Sequence, residues 1–391
     1  MTRKNQSEAQ APAAYLLPAR PSPAIWGLTP ERRLELMLAK AGVPGARRGR
    51  PEEAPRRGAV LLLRGEAVCN EAFLRGLLAR PETLAVGPDG EPLAAHVPAE
   101  RMAEALRWLE GEGAPPSGLA PAKAWQIGEA YDFKLRKRET PFAEAARADR
   151  RPAIENRLYA ASYKGVTDFV TKYLWPLPAR ELTRLCARLG VGPNAVTLVG
   201  AAFMLAALWL FWRGEFGLGL AAAWAMALLD TVDGKLARVT LSSSKFGDVL
   251  DHGIDLIHPP FWYVAWGYGL AASGAPLPEG WLGPLNAAIV IAYIAARLCE
   301  GYFIRRFGFH LHVWRPFDSR FRLVLARRNP NLALLTLPTL FARPDVGFIL
   351  VAVWSALTVA VHLVQVASAE AARARGLPPR SWLEERPPAV V

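Results

Sequence analysis

Residues 230–255 read DTVDGKLARVTLSSSKFGDVLDHGID. Four aspartates, Asp230, Asp233, Asp251 and Asp255, stand inside or at the edge of strongly apolar runs. Charge in such surroundings is expensive, and it marks function before it marks structure. Asp230 and Asp233 are three apart and share a helix face; Asp251 and Asp255 are four apart, with Gly247 one turn earlier on the same face. Two helices crossing with these faces opposed gather four carboxylates around one small volume. Carboxylates that close cannot all stay ionised without a cation. A ligand set of carboxylates with no Cys or His suits Mg2+ or Mn2+. Gly234 and Ala237 keep the face low enough for a ligand to approach the backbone, and the planar guanidinium of Arg238 matches a phosphate. Acids, small residues and arginine together describe a diphosphate site.

The spacing is D-x2-D-G-x2-A-R-x8-G-x3-D-x3-D, with eight fixed positions filled. It resembles the signature of the CDP-alcohol phosphotransferase (CDP-alcohol phosphatidyltransferase) family of integral membrane enzymes. The resemblance implies attack of an alcohol hydroxyl on the β-phosphorus of a CDP-activated partner, with CMP leaving. It also implies two metal ions, Mg2+ or Mn2+, and a homodimer formed through membrane helices. Carried onto this chain, it makes Asp230, Asp233 and Asp251 metal ligands. Asp255 becomes the general base and a further contact to metal. Asp230, Gly234, Ala237, Arg238 and Gly247 fall in the CDP-binding part.

Composition widens the view. The chain has 391 residues and a formal net charge of +12. Such a balance suits nucleic acid or anionic lipid; the long apolar runs decide for lipid, where basic segments beside spanning helices meet acidic headgroups. No nucleic-acid partner is expected. Cys69, Cys186 and Cys299 are far apart and read as reduced, structural residues. The first residues lack the sustained apolar core of a secretory signal.

Six apolar segments lie near 194–213, 216–237, 246–270, 282–304, 321–342 and 346–368; a span takes about 20 residues. The fifth is interrupted by Arg327, Arg328 and Pro338. The 2–3 and 4–5 connections carry Arg238, Lys245, Arg305, Arg306, Arg315, Arg320 and Arg322, whereas the 3–4 connection has no Lys or Arg. The positive-inside rule then places the termini and the aspartates on the cytoplasmic side, in a bacterial inner membrane.

Upstream, residues 1–20 read as disordered and residues 21–150 as a soluble α/β domain. Thr29-Pro30-Glu31 is a helix start, AVLLL at 59–63 a buried strand, 71–79 and 98–110 helices, and Gly87–Gly90 the turn of a hairpin. The layout resembles a sugar-phosphate nucleotidyltransferase that has lost its function. In place of a glycine-rich phosphate loop it offers LLPARPSPAIWGLTPERR, and only Glu66 echoes a metal-binding acid. Residues 151–192 form a juxtamembrane region in which Leu182, Leu185 and Leu189 oppose Arg180, Arg184 and Arg188, an amphipathic helix for the headgroup plane. Pro193-Asn194 and Thr197 then open a PN-x2-T pattern that also resembles the family's first membrane helix. The fold class is α+β overall: a six-helix transmembrane bundle over 193–370 preceded by the α/β domain and the amphipathic helix, with a cytosolic tail at 371–391.

The expected reaction joins a polar alcohol, with phosphorylated inositol- or glycerol-type alcohols as candidates, to a CDP-activated lipid such as CDP-diacylglycerol, in phospholipid biosynthesis. Arg297, inside the fourth apolar segment, needs an anionic partner; with Arg305 and Arg306 it is the candidate acceptor site, against snorkelling to the headgroups. Tyr163, Lys164 and Asp168 lie upstream of the first span, and His252 and His258 flank the acids without being needed as ligands. Two other readings compete. An intramembrane prenyltransferase also holds Mg-diphosphate on facing aspartates, but lacks D-G-x2-A-R. A divalent-cation transporter would place acids near mid-membrane and would not explain Gly234, Ala237 and Arg238.

Overall fold

The computed structural model describes residues 11–53, 58–128 and 131–384; within the helix that carries Asp251, the side chains of residues 245, 246, 248 and 250–252 lie outside the described residues. The N-terminal half contains, in chain order, β1 (Ala13–Leu17), α1 (Pro30–Lys40), β2 (Arg47–Arg48), β3 (Ala59–Arg64), β4 (Ala67–Cys69), α2 (Glu71–Ala79), β5 (Thr83–Val86), β6 (Pro92–Pro98), α3 (Met102–Glu110), β7 (Pro121–Lys123), α4 (Ala124–Ile127), β8 (Tyr131–Asp132), β9 (Lys137–Arg138), β10 (Ala143–Ala145) and α5 (Arg151–Ala161). The C-terminal half contains α6 (Pro176–Arg188), α7 (Pro193–Trp212), α8 (Phe216–Val239), α9 (Lys245–Ala272), α10 (Leu282–Phe307), α11 (Pro316–Phe321), α12 (Arg328–Thr339) and α13 (Pro344–Ala374).

Six strands form one mixed sheet in the order β2-β1-β3-β6-β5-β7. β1 runs parallel to β2 and β3, and β6 runs antiparallel to β3 and β5. Side chains alternate across a strand, so β3 feeds two cores. Leu61 and Leu63 pack with Leu34, Leu38, Phe73 and Leu77 from α1 and α2; Val60 and Leu62 pack with Met102, Ala105 and Leu109 from α3. Of the expectation of disorder over 1–20, residues 1–10 lie outside the described residues, and over Ala13–Leu17 it is corrected by β1, which pairs with β3. The short apolar run AAYLL becomes a strand because its backbone and its side chains from Ala14 to Leu17 are buried by the sheet. Thr29 caps α1, its side chain accepting from the Arg32 amide.

Four helices, α7, α8, α10 and α13, are long and apolar enough to cross a membrane, and α9 has 28 residues. The helices meet through small residues. A Cβ on Gly269 of α9 would come within 1.9 Å of the Phe211 carbonyl oxygen of α7, and one on Gly219 of α8 within 2.7 Å of the Phe211 ring. Around Phe211 pack Trp262, Trp266 and Tyr263, and the Trp262 indole donates to the Met204 carbonyl at 3.1 Å. The fifth segment is shorter than the 321–342 expected. α12 has 12 residues, about 18 Å of helix against a hydrocarbon core of about 30 Å. Its first residue is Arg328, and Pro338 lies near its end.

α6 turns Ala179, Thr183 and Cys186 inward, while Leu177, Leu185 and Leu189 are exposed. The N-terminal half grips the aspartate-bearing end of α8. Arg33, 3% exposed on α1, donates through Nη1 to the Val239 carbonyl at 2.6 Å, satisfying a carbonyl that the helix end leaves free. Val239 is buried beside Ile25, Trp26, Val68, Phe142 and Leu158. Glu66 is held by Arg64 at 2.6 Å and by the Arg20 amide at 3.3 Å, an acid already neutralised by its own neighbour.

Candidate active site

Only residues 240–244 separate α8 from α9, so the two aspartate-bearing helix ends are held together by the chain itself. Ser244 caps α9, accepting from the Gly247 amide at 3.0 Å. Gly247 is required by close approach: a Cβ there would lie 2.7 Å from Asn194 Oδ1 at the start of α7. The PN-x2-T pattern thereby acquires a physical role. Thr197, one turn beyond Asn194, donates through Oγ1 to Asp233 Oδ2 at 2.6 Å. Asp233 is 4% exposed, and its Oδ1 is buried with no hydrogen-bond partner among the described residues.

Asp230 and Asp255 converge on one cation of the chain. Arg328 Nη2 lies 2.6 Å from Asp230 Oδ2, and Nη1 lies 2.5 Å from Asp255 Oδ1. The two acids differ in access: 20% of the Asp230 side chain and 46% of the Asp255 side chain are exposed. Arg238 reaches back over Gly234, where an added Cβ would lie 3.1 Å from Nη2. Ala237 is half-buried on the same helix. Lys235, which the motif leaves unspecified, is buried with Nζ 3.4 Å from the Tyr163 ring centroid and donating to the Ser162 carbonyl.

The remaining candidates separate. Asp168 is bound by Thr171, Asn329 and Thr167, which ties the segment before α6 to the start of α12. Arg297 pairs with Glu300 at 3.4 Å and lies over the Tyr293 ring. Arg306 is committed to Glu370 at 2.9 Å, and Arg305 is exposed. His258 Nδ1 faces the Ile254 carbonyl at 2.6 Å. Asp251, expected as a metal ligand, and His252 have side chains outside the described residues. Arg328 was legible only as a break in an apolar run. The signal available was a cation at the start of an apolar run in a chain with several acids to neutralise.

Among the described residues no three acids stand close enough together to hold a metal ion; by chemistry alone, carboxylate oxygens suit a hard divalent cation. Oxygens of Asp230, Asp233 and Asp255 stand on adjacent helix ends; a positive group already joins two of them, and one buried oxygen of the third lacks a partner among the described residues. Thr197→Val is expected to weaken divalent-cation binding several-fold with the fold retained, because it removes the bond that orients Asp233. Titration of Mn2+ followed by its electron paramagnetic resonance signal measures this; unchanged affinity would show that the hydroxyl only fills space.

Comparison with known proteins adds the following. Residues 191–308 match the family model described as CDP-alcohol phosphatidyltransferase. A phosphatidylinositol phosphate synthase of Mycobacterium marinum is 33% identical over 136 residues, covering 33% of this chain and 56% of that protein. One of Mycobacterium tuberculosis is 34% identical over 132 residues, 33% of this chain and 61% of that one. An archaetidylinositol phosphate synthase of Pyrococcus horikoshii is 25% identical over 182 residues, 46% of this chain and 86% of that one. The chain thus spans little more than half the length of the mycobacterial relatives. A crystal structure of the apo phosphatidylinositol phosphate synthase of Mycobacterium tuberculosis aligns with TM-score 0.36 and 23% identity, over 48% of this chain and 95% of that one.

Proposed function

We propose, on the premise that residues 191–308 are a domain of the CDP-alcohol phosphatidyltransferase family, that this integral membrane protein joins a polar alcohol to a CDP-activated lipid and releases CMP. The observation that carries the proposal is the convergence of Asp230 on α8 and Asp255 on α9 upon one guanidinium. A site that gathers acids and cations at a helix end is suited to a diphosphate. The names of the relatives, which specify phosphatidylinositol phosphate and archaetidylinositol phosphate as products, favour an inositol-type acceptor and a lipid such as CDP-diacylglycerol as its partner.

In this reading the acceptor oxygen forms a bond to the β-phosphorus, the bond from that phosphorus to the CMP oxygen breaks, and the hydroxyl proton passes to Asp255. The half-exposed carboxylate of Asp255 is open to an incoming hydroxyl, whereas Asp233 is sealed; a base must come within hydrogen-bond reach of its proton. Asp230, Asp233, Asp251 and Asp255 would hold Mg2+ or Mn2+, two ions by family resemblance, which supplies charge stabilisation at the oxygens that gain charge. Gly234 and Ala237 leave room beside the backbone, and Arg238 lies along that surface to meet phosphate.

The membrane arrangement is read as six helices, α7 to α10 with α12 and α13, the acids at the cytoplasmic boundary of a bacterial inner membrane. The exposed leucines of α6 rest in the headgroup layer, and a homodimer forms through exposed faces of the spanning helices. Purified full-length protein in detergent, given CDP-diacylglycerol, Mg2+ and a panel of polar alcohols, is expected to release CMP and yield one new lipid identifiable by mass spectrometry. No CMP with any alcohol, from protein that binds CDP-diacylglycerol, would refute the reading.

A further inference from the structure

Within the 28 residues of α9 stand two adjacent prolines, Pro259 and Pro260. A helical amide donates to the carbonyl four residues earlier, and proline has no amide hydrogen to give. The carbonyls deprived in this way are those of Asp255 and Leu256. The break therefore falls on the turn that carries the acid proposed as base. A proline pair inside a helix is expensive, and it persists where neighbours supply the missing donors.

Here the donors come from side chains. Tyr293, buried on α10, donates its hydroxyl to the Leu256 carbonyl at 2.9 Å and lies 3.4 Å from that of Asp255. His258 Nδ1 meets the Ile254 carbonyl at 2.6 Å. Three successive carbonyls thus have side-chain contacts in the stretch where the ladder is interrupted. Tyr293 is itself fixed. Its ring meets Tyr263 edge-on with centroids 6.1 Å apart, and the Arg297 guanidinium lies 5.1 Å from its own centroid. The Tyr263 hydroxyl accepts from Asn331 Nδ2 at 3.1 Å, on the same helix as Arg328. α9, α10 and α12 together place the hydroxyl that reaches the Asp255 turn. The rest of α9 is anchored elsewhere. Before the break, Ser244 caps the helix and Gly247 lies against Asn194; after it, Trp262 and Trp266 are buried around Phe211. The turn between lacks two backbone bonds of its own.

We propose that Tyr293 is a positioning residue for Asp255, acting through the backbone carbonyls that Pro259 and Pro260 leave free. This deepens the proposed function and rests on its choice of Asp255 as the base. Arg328 fixes the carboxylate from the side of Asp230; Tyr293 fixes the main chain behind it. A base works only within hydrogen-bond reach of its proton, and a displacement of about 1 Å can cost about 10²-fold in rate. In this scheme the Tyr293 hydroxyl touches no substrate and takes no proton. Prolines that only bend a membrane helix would also need a donor for their carbonyls, but turnover would not depend on it.

The test compares full-length wild type, Tyr293→Phe, Pro260→Ala and the double variant in detergent. CMP release gives turnover, and hydrogen–deuterium exchange over residues 253–258 reads the turn without it. Tyr293→Phe keeps the ring and removes the donor. It should lower kcat about tenfold, the worth of one hydrogen bond, leave KM for CDP-diacylglycerol unchanged, and speed exchange in this turn. Pro260→Ala returns an amide to the Leu256 carbonyl, so in that background Tyr293→Phe should cost little in either measurement. Tyr268→Phe, which removes an exposed hydroxyl further along α9, should behave as wild type. Faster exchange with unchanged kcat would reduce Tyr293 to a cap on a bent helix and overturn the positioning role. A loss of kcat equally large in the Pro260→Ala background would show that the Leu256 carbonyl is not the link, and overturns it too. In a protein that releases no CMP with any alcohol, exchange that depends on Tyr293 and is rescued by Pro260→Ala upholds the hold on this turn and refutes the reaction.

Discussion

Asp255→Asn is expected to lower turnover by about 10²–10⁴-fold, the usual worth of a positioned general base, while CDP-diacylglycerol binding changes little. The asymmetry of the acids sets this expectation. Asp230 and Asp233 are enclosed by α7, α8 and α12, and removing a charge from either disturbs whatever they jointly hold. Asp255 keeps 46% of its side chain exposed. The amide that replaces it still accepts from Arg328 through Oδ1, so the local geometry survives. What it loses is the capacity to take a proton. Binding measured by calorimetry and turnover measured by CMP release separate the two properties. If Asp255→Asn loses nucleotide binding in parallel with turnover, in protein with an unchanged melting temperature, the contact of Asp255 to metal carries its whole effect and the base lies elsewhere.

The parts of this site that were legible in the sequence share one property: their meaning is local. Three- and four-residue spacings define helix faces, and a five-residue connection forces two helices to be neighbours, so the placing of Asp230 and Asp255 on adjacent helix ends follows from residues 230–255, whereas the Arg328 that joins them does not. Gly247 was legible as a small position, but the reason, Asn194 on a preceding helix, was not. Thr197 stood in a recognisable pattern whose partner, Asp233, lies 36 residues away. Arg328 is 73 residues from Asp255 and lies beyond the matched family segment. Its role depends on how α12 packs, which no spacing rule reports. The same cause shortens the fifth segment: Arg328 starts α12 at the acids, where apolar periodicity predicts a longer helix. Arg33 shows the limit again. On α1 it reads as an ordinary surface cation, yet it is buried because the end of α8 comes to it. In the sheet, β3 and the β5–β6 hairpin follow from their apolar runs and turn residues, whereas β1 needed the neighbours that pair with it.

Arg328→Gln is expected to destabilise the protein by about 3 kcal/mol in the presence of a chelator, and Mg2+ is expected to restore most of that loss. Removing one partner of a buried ion pair costs about 3–5 kcal/mol, because the other charge stays behind. Asp230 is the more enclosed partner here; the contribution through Asp255 is smaller, since exposed pairs are screened. Without the guanidinium, Asp230 and Asp255 also repel each other. A divalent cation bound to the same oxygens offsets both effects, and at about 100-fold over its Kd it adds about 2.7 kcal/mol. Arg328→Lys should fall between, because an ammonium is a point charge and cannot fork across two carboxylates. Thermal unfolding in EDTA and across a Mg2+ series decides the matter. The variant should also bind Mg2+ more tightly than wild type, since no internal cation has to be displaced first. A destabilisation that Mg2+ leaves untouched would mean that Arg328 and the metal do not share these acids, and that the arginine only ties α12 to α8 and α9.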